Sequence, residues 1–277
     1  MTRKSSDRLD TNSWVEFDQQ GYRIRALGAF KSFRGLEIPW DEPEFLEMAT
    51  ERIVKASRSR KVVKLAAGQF GQPVEVYVKR YNFRTWLRLI FRTGRKTRAG
   101  EEFDIGWKLM EKGIKTPRPV WLAESKGAVS RFSVLATEAL PSAESVLDRW
   151  LRCESDDERT ALLTALGHFL GGLHDAGFYH DDLKAGHILI FPDRPSLPKE
   201  FYLIDLLGGS FPRVLSKLRR AKNLYQMIRS FIPKRKEFGF TDRHRAFFLE
   251  AYAGSAMEAL EWSKWVNRVG HLKGRKI

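Results

Sequence analysis

The pattern of apolar residues changes near residue 140, and this change limits the folds open to the chain. Before it, short segments rich in Val, Ile and Tyr are separated by turn residues, which predicts β-strands. These segments are RIVKA (52–56), KVVKLA (61–66), VEVYVKRY (74–81) and two further ones at 119–123 and 130–138. One helix is predicted among them, from about residue 99 to 112, ended by Gly113 and the prolines of TPRP.

After Pro141 the spacing of apolar residues becomes helical. ERTALLTALGHFLGGLHDAGF (158–178) and SKLRRAKNLYQMIRSF both predict helices, and two short strands, HILIF and FYLID, lie between them. We therefore predict an α+β fold with two lobes, a small antiparallel-sheet lobe with one helix and a mainly helical lobe. The predicted boundaries are an N-terminal extension over 1–45, with a hairpin in WVEFDQQGYRIRAL, then lobes at 46–139 and 140–277.

The charge balance indicates the class of partner. Forty-nine Lys and Arg against 34 Asp and Glu give a formal net charge of +15, which favours anionic partners such as nucleic acid, an acidic membrane face or phosphorylated ligands. The single cysteine, Cys153, excludes an internal disulfide and a Cys-based zinc site. The N-terminus lacks a signal-peptide core and no apolar run approaches the roughly 20 residues that span a bilayer, so we expect a soluble or peripheral protein.

The segment FYHDDLKAGHILI (178–190) carries the densest set of ionisable residues between two apolar stretches. Phosphoryl transfer needs the phosphates clamped, a metal ion held and the attacking hydroxyl oriented. Kinase catalytic loops provide the last of these with His-Arg-Asp-Leu, followed by Asn five residues after the Asp. HDDL at 180–183 fits that template, with Asp182 in the base position and His187 in place of the Asn. Asp205 ends the next strand but one, where such enzymes place a magnesium ligand.

The upstream half supplies the remaining parts in the expected order. Lys79 projects from the face of its strand opposite the valines, and Glu102 lies in the first turns of the helix that follows. The strand SVLATEAL is the predicted hinge between lobes, where backbone groups of Glu138 and Leu140 would read adenine. Taken singly, each residue has an ordinary explanation as a solvated charge or a helix cap. Their order along the chain favours a bilobal protein-kinase-like fold.

From about residue 50 to 253 the chain resembles the lipopolysaccharide kinase (Kdo/WaaP) family. The resemblance lies in YVKRY, RAGEEF, LMEKGIKTPRPV, LATEAL, LHDAGFYHDDLKAGHILI and YLIDL. The heptose-kinase branch of this family similarly carries His where protein kinases carry Asn. The resemblance implies an ATP- and Mg²⁺-dependent kinase that phosphorylates a sugar, heptose or Kdo, of the lipopolysaccharide inner core at the cytoplasmic membrane face.

The resemblance also implies roles by position. Asp182 would be the base, Lys79 the phosphate clamp held by Glu102, and His187 and Asp205 the metal ligands.

Three positions depart from the kinase pattern. Asp181 replaces the usual Arg of the loop, and Asn223 stands where an Asp would brace it. No glycine-rich phosphate loop is visible; the turn SRSR (57–60) takes its place, unless another strand register makes Gly68 and Gly71 the loop. An inactive member of the fold is therefore an alternative, but the Lys and both Asp are retained and an active enzyme is the preferred interpretation.

The acceptor is expected to be a sugar or glycolipid. The segment after Asp205 is short and lacks the Ala-Pro-Glu motif of protein kinases. Residues 80–98 hold seven cations and no acid, which fits either a helix on an anionic membrane or a solvated face. Nucleic acid is not an expected partner. The alternatives are a protein kinase, an aminoglycoside-type phosphotransferase, or an inactive fold that binds membranes or polyanions.

Overall fold

The computed structural model describes residues 13–40, 53–57, 59–82, 96–126, 132–191, 200–232 and 239–272, with the backbone alone for residues 53–56. The chain forms two compact units. The first contains residues up to 107 together with 117–140, and the second contains 108–116 and the residues from 141 onward.

The first unit is built on a seven-stranded antiparallel sheet with the strand order β1-β2-β6-β7-β5-β4-β3. Its strands are β1 (Trp14–Gln19), β2 (Tyr22–Leu27), β3 (Ile53–Ser57), β4 (Arg60–Leu65), β5 (Val76–Asn82), β6 (Pro119–Ser125) and β7 (Phe132–Glu138). Helix α1 (Arg98–Glu111) follows β5, and two short 3₁₀ helices lie at Gly28–Phe30 and Gly35–Glu37. The predicted strands and helix therefore form in the predicted order.

The hairpin predicted near the N-terminus forms and belongs to this sheet. Strands β1 and β2 pair from Trp14–Leu27 to Gln19–Tyr22, and β2 pairs with β6. The turn residues Gln20 and Gly21 both have positive φ, 49° and 79°, as a two-residue hairpin turn requires. The segment predicted as an extension thus contributes two strands to the sheet of the first unit.

Alternate side chains along β5 point either into the hydrophobic core or toward the predicted site residues. Val76 and Val78 are fully buried in the core, where they pack with the residues that surround Trp121. Because successive side chains of a strand point to opposite faces, Lys79 and Tyr81 share the other face. The core therefore fixes the direction in which the predicted clamp residue points.

The second unit is mainly helical, as predicted. Its helices are α2 (Val146–Arg152), α3 (Asp156–Asp175), α4 (Lys217–Phe231), α5 (Asp242–Ala253) and α6 (Ala256–Leu272). Two small antiparallel sheets complete it, one of β8 (Glu144–Ser145), β10 (Ile188–Ile190) and β11 (Tyr202–Leu203), the other of β9 (Tyr179–His180) and β12 (Gly209–Ser210). A 3₁₀ turn, Ala185–His187, precedes β10.

Helix α3 leads directly into the predicted catalytic loop, and close packing fixes it. Its N-terminus is capped by the Ser155 side chain, which accepts a hydrogen bond from the Glu158 N–H. Where α3 meets α5, a Cβ added to Gly167 would lie 2.5 Å from the Phe248 carbonyl oxygen, so a larger residue does not fit without a shift.

Among the helices in the described ranges, none combines the length and apolar composition that a bilayer-spanning helix needs.

Candidate active site

In the first unit, Lys79 and Glu102 form a buried ion pair. The Lys79 Nζ lies 2.5 Å from the Glu102 Oε1, and the two side chains are 15% and 2% exposed. Strand β5 supplies the lysine and helix α1 the glutamate. A buried carboxylate is stable only if it is paired and hydrogen-bonded, so this pair fixes the position of the lysine ammonium group.

Tyr81 is a third member of this cluster that sequence reasoning missed. Its hydroxyl donates a hydrogen bond to the Glu102 Oε2, so the two carboxylate oxygens are held by different partners. Burial, reinforced by the charge of Glu102, raises the pKa of Tyr81 well above its usual value, which keeps the hydroxyl a donor. The signal was present in the sequence, because residues 79 and 81 must share one face of a strand.

Of the predicted hinge residues, Glu138 is the last residue of β7 and Leu140 follows the strand. The Ala139 N–H donates to the Glu75 carbonyl at 2.9 Å, whereas the Glu138 N–H donates to the Arg118 carbonyl, also at 2.9 Å. The Glu138 side chain pairs with the same arginine at 2.5 Å. The amide hydrogen of Glu138 is thus already bonded within the unit, and an adenine-reading role for Glu138 and Leu140 stays a prediction.

In the second unit, His180 joins the two predicted aspartates through their backbones. Its Nδ1 accepts a hydrogen bond from the Asp182 N–H at 3.0 Å, and its Nε2 lies 2.9 Å from the Asp205 carbonyl oxygen. Since one ring nitrogen accepts and the other faces an acceptor, this pattern is that of the imidazole with its proton on Nε2. His180 is 2% exposed, so a buried ring fixes the loop that carries Asp182 against the strand end that carries Asp205.

Asp182 presents its carboxylate to solvent. The side chain is 62% exposed, and its Oδ2 accepts a hydrogen bond from the Lys184 Nζ at 2.6 Å. A group that receives a proton from a substrate hydroxyl must be reachable, and Asp182 meets that requirement.

Asn223 braces the loop from helix α4, in the position where an Asp is expected. It is fully buried; its Oδ1 accepts from the His180 N–H at 3.2 Å and its Nδ2 donates to the His180 carbonyl at 2.5 Å. Gln226, one turn later, donates to the Asp181 carbonyl. An amide has both a donor and an acceptor, so it satisfies the backbone N–H and the carbonyl of one residue, which a carboxylate cannot do.

His187 and Asp205, the predicted metal ligands, lie together. The His187 Nε2 is 3.9 Å from the Asp205 Oδ2. Asp205 has a φ of 55°, a left-handed conformation that Asp adopts more readily than most residues and that is concentrated at functional sites. Burial lowers the pKa of His187 against the opposing effect of Asp205, so the ring is neutral and able to ligate near pH 7.

These two residues fit a metal that arrives with a nucleotide. Within the described ranges, no group of three or more His, Cys, Asp or Glu side chains forms a metal cage. The buried His187 Nδ1 has no hydrogen-bond partner there, and Nε2 is beyond hydrogen-bond distance of Asp205. Magnesium usually takes one or two carboxylates and completes its shell with phosphate oxygens and water. Asp205 supplies such a carboxylate, and the neutral His187 ring places a nitrogen donor beside it.

The predicted phosphate turn joins β3 and β4. Ser57 and Arg60 are paired, and the Ser57 Oγ accepts from the Arg60 N–H at 3.1 Å. Gly68 and Gly71 lie in the next connection, between β4 and β5, so the alternative register does not form. Most of the basic segment 80–98, including Arg84, lies outside the described residues.

His174, buried behind the loop, makes the stability of the second unit depend on pH. Its Nδ1 lies 2.9 Å from the Tyr252 hydroxyl and its Nε2 3.3 Å from the Asn223 Oδ1. Burial lowers the pKa of His174 to about 4. An unfolded chain protonates this residue below about pH 6.5, whereas the folded chain does so only near pH 4. The free energy of unfolding should therefore fall by about 3 kcal/mol between these pH values and show no contribution from His174 above them.

Denaturant unfolding followed between pH 7 and pH 4.5 measures this dependence. His174→Gln should flatten the acid side of the stability curve, whereas His168→Gln, at an exposed position of the same helix, should leave its slope unchanged. Equal slopes for wild type and His174→Gln would contradict the assignment.

Comparison with known proteins identifies similar chains. The sequence profile of the lipopolysaccharide kinase (Kdo/WaaP) family matches residues 46–252. The 3-deoxy-D-manno-octulosonic acid kinase of Mannheimia succiniciproducens is 26% identical over 179 residues, 60% of this chain and 67% of the relative. The enzymes of that name from Xylella fastidiosa strain M12 and Stenotrophomonas maltophilia strain K279a are 25% and 28% identical over 154 and 153 residues. Those stretches cover 56% and 55% of this chain but only 58% and 57% of these two relatives, less than two thirds of their length.

A solved structure, WaaP in complex with acyl carrier protein, is similar with a TM-score of 0.60 and 22% sequence identity. It covers 85% of this chain and 95% of the solved chain. This likeness confirms the predicted kinase-like α+β fold. The family predicted from the motifs is confirmed as well, while the heptose-kinase branch stays a prediction.

Proposed function

Because the chain belongs to the lipopolysaccharide kinase (Kdo/WaaP) family, we propose that it transfers a phosphoryl group from ATP to a sugar hydroxyl of the lipopolysaccharide inner core. Curated relatives that match it are 3-deoxy-D-manno-octulosonic acid kinases, which favours that acidic sugar over heptose as the acceptor.

One observation carries the proposal, the joining of Asp182 and Asp205 by His180 in the second unit. Asp182 would orient the acceptor hydroxyl and accept its proton. His187 and Asp205 would hold Mg²⁺, which supplies positive charge against the phosphate oxygens when bound. Braced by His180 and Asn223, the loop keeps these groups in place before substrate arrives, which is the basis of electrostatic preorganisation.

In the first unit, Lys79 would bind the α- and β-phosphates of ATP. The ion pair with Glu102 holds its ammonium group, and Tyr81 holds Glu102 in turn. Backbone groups of Glu138 and Leu140 would read adenine. A lipid-borne acceptor and a net charge of +15 support a location at the cytoplasmic membrane face, as a peripheral protein.

The decisive experiment incubates the full chain with MgATP and one of three acceptors. These are core glycolipid that carries 3-deoxy-D-manno-octulosonic acid, a generic protein substrate and an aminoglycoside. Mass spectrometry should show one added phosphate on the glycolipid alone. A phosphate on the protein or the antibiotic instead would favour the other two kinase classes. Salt-sensitive binding to polyanions with no transfer to any acceptor would indicate the inactive binding module.

The acceptor sugar can be identified with the same assay. Glycolipid that ends in 3-deoxy-D-manno-octulosonic acid and glycolipid extended by heptose should be compared at equal concentration. Phosphate on the acidic sugar in both would support the preferred acceptor. Phosphate on heptose, with none on the shorter glycolipid, would move the chain to the heptose-kinase branch.

A further inference from the structure

One face of helix α4 contacts the loop that carries Asp182. Asn223 and Gln226 bond the backbone of this loop, as described above. Nearer the helix N-terminus, the Arg219 guanidinium and the Lys222 ammonium lie over the Tyr179 ring, 5.4 and 5.5 Å from its centroid. Positions 219, 222, 223 and 226 share a helix face because three and four residues complete about one turn. The same face that braces the loop therefore places two cations beside it.

These cations belong to a larger positive surface. Residues 213–222 hold five cations and no acid: Arg213, Lys217, Arg219, Arg220 and Lys222. Arg220 is bonded to Asp175 at 3.1 Å and Lys222 to Asp181 at 3.4 Å. Arg219 is exposed and forms no ion pair with any residue that the structure describes. No acid lies in the first turn of α4, so the helix dipole adds to the positive potential there.

Both charges persist at neutral pH. A guanidinium group is always protonated in proteins. The pKa of Lys222 is raised, chiefly by its hydrogen bond with Tyr179 and further by Asp181. The ring of Tyr179 is buried, so it is a fixed platform for the Arg219 side chain. The guanidinium donates to no residue that the structure describes, which leaves its donors able to bind a ligand.

The positive surface around Arg219 can offset the repulsion between the Asp182 carboxylate and an acidic sugar. The exposed carboxylate of Asp182 and the acceptor's carboxylate or phosphate repel each other when the acceptor hydroxyl approaches. A neighbouring guanidinium offsets that repulsion and binds either anion through two parallel hydrogen bonds. We propose that Arg219, with Lys222 beside it, binds the anionic group of the acceptor sugar and thereby sets the specificity for acidic acceptors. This inference rests on the proposed function.

Arg219→Gln tests the proposal in the full chain, because glutamine removes the charge and keeps an unbranched polar side chain. The KM for glycolipid bearing 3-deoxy-D-manno-octulosonic acid should rise about tenfold, the loss expected for one charged hydrogen-bonded contact. The KM for ATP should not change, and Arg219→Lys should restore part of the loss. Arg268→Gln is the matched control, since Arg268 is also an exposed helix residue over an aromatic ring, 5.3 Å from Trp265.

Two altered acceptors identify the anion. If Arg219 binds the sugar carboxylate, the penalty of Arg219→Gln should vanish on glycolipid whose carboxyl is reduced to an alcohol. If it binds a phosphate, the penalty should vanish on dephosphorylated glycolipid. A penalty of the same size on both altered acceptors, or one shared by Arg268→Gln, would overturn the proposal.

A binding measurement without ATP separates this inference from the proposed function. Wild type should bind the glycolipid in detergent micelles about tenfold more tightly than Arg219→Gln. Equal binding, or no binding by wild type, would overturn the role of Arg219. Binding that depends on Arg219 without any transfer would leave the inference standing and remove the proposed kinase activity.

Discussion

Replacing Asp182 by alanine is expected to lower the rate of phosphoryl transfer about 10³-fold while nucleotide binding persists. Asp182 is the exposed carboxylate of the loop, and its backbone is fixed by His180 rather than by its own side chain. The substitution therefore removes the proton acceptor and leaves the loop in place. Turnover with core glycolipid and titration with MgATP measure the two effects separately.

Asp181→Ala provides the matched comparison. Asp181 precedes Asp182 and its side chain is 68% exposed against 62%, so exposure and local charge are nearly equal. Its carboxylate pairs with Lys222 instead of Lys184, and we expect a loss of less than about fivefold, the size of an exposed ion pair. Wild-type turnover by Asp182→Ala, or a larger loss from Asp181→Ala, would show that the wrong carboxylate has been assigned.

The elements that carry the site could be predicted because each has a local signal. Strand β5 shows the two-residue alternation that places Lys79 on the face opposite the buried valines, and α3 shows the helical spacing of a helix that leads into the loop. The order of these elements then suggested the kinase-like fold, and the motifs they carry suggested the family; the comparisons confirm both. The spacing of apolar residues within an element and the order of elements along the chain can both be seen in a single sequence.

Two features that depend on distant partners and belong to no known motif were not predicted. The N-terminal hairpin joins the sheet by pairing with β6, almost a hundred residues later in the chain. No local sequence pattern predicts which strand it pairs with. The kinase template pairs a strand lysine with a helix glutamate, which predicted Lys79 and Glu102, but it contains no tyrosine, so Tyr81 was overlooked. Its position two residues after Lys79 was visible, but only the contact shows that the two side chains share one carboxylate.

Asn223 shows how a departure from a motif can keep its physical role. Its replacement of the expected Asp was one reason to keep an inactive member of the fold as an alternative. The structure places the side-chain amide beside the His180 backbone, where Oδ1 accepts from the N–H and Nδ2 donates to the carbonyl. His174 lies behind the amide, and burial holds that ring neutral near pH 7. The brace is therefore built from neutral groups, which avoids the cost of burying a carboxylate there.

Lys79→Met is expected to reduce kcat/KM for ATP by about 10²- to 10³-fold, the effect of removing one preorganised donor to a charged substrate. The substitution also leaves the Glu102 carboxylate buried with Tyr81 as its remaining hydrogen-bond partner in the cluster. An uncompensated buried charge costs about 3–5 kcal/mol, so loss of activity alone would not separate a damaged fold from a lost phosphate contact.

A double variant, Lys79→Met with Glu102→Gln, separates the two effects. Neutral glutamine removes the buried charge, so thermal unfolding should return toward the wild-type temperature while activity stays low. Lys64→Met is the control, because Lys64 pairs with Glu75 at 3.0 Å near the surface of the same sheet, and exposed pairs contribute less than about 1 kcal/mol. If the double variant regains both stability and turnover, Lys79 stabilises the fold without binding phosphate, because its charge would then be dispensable for transfer.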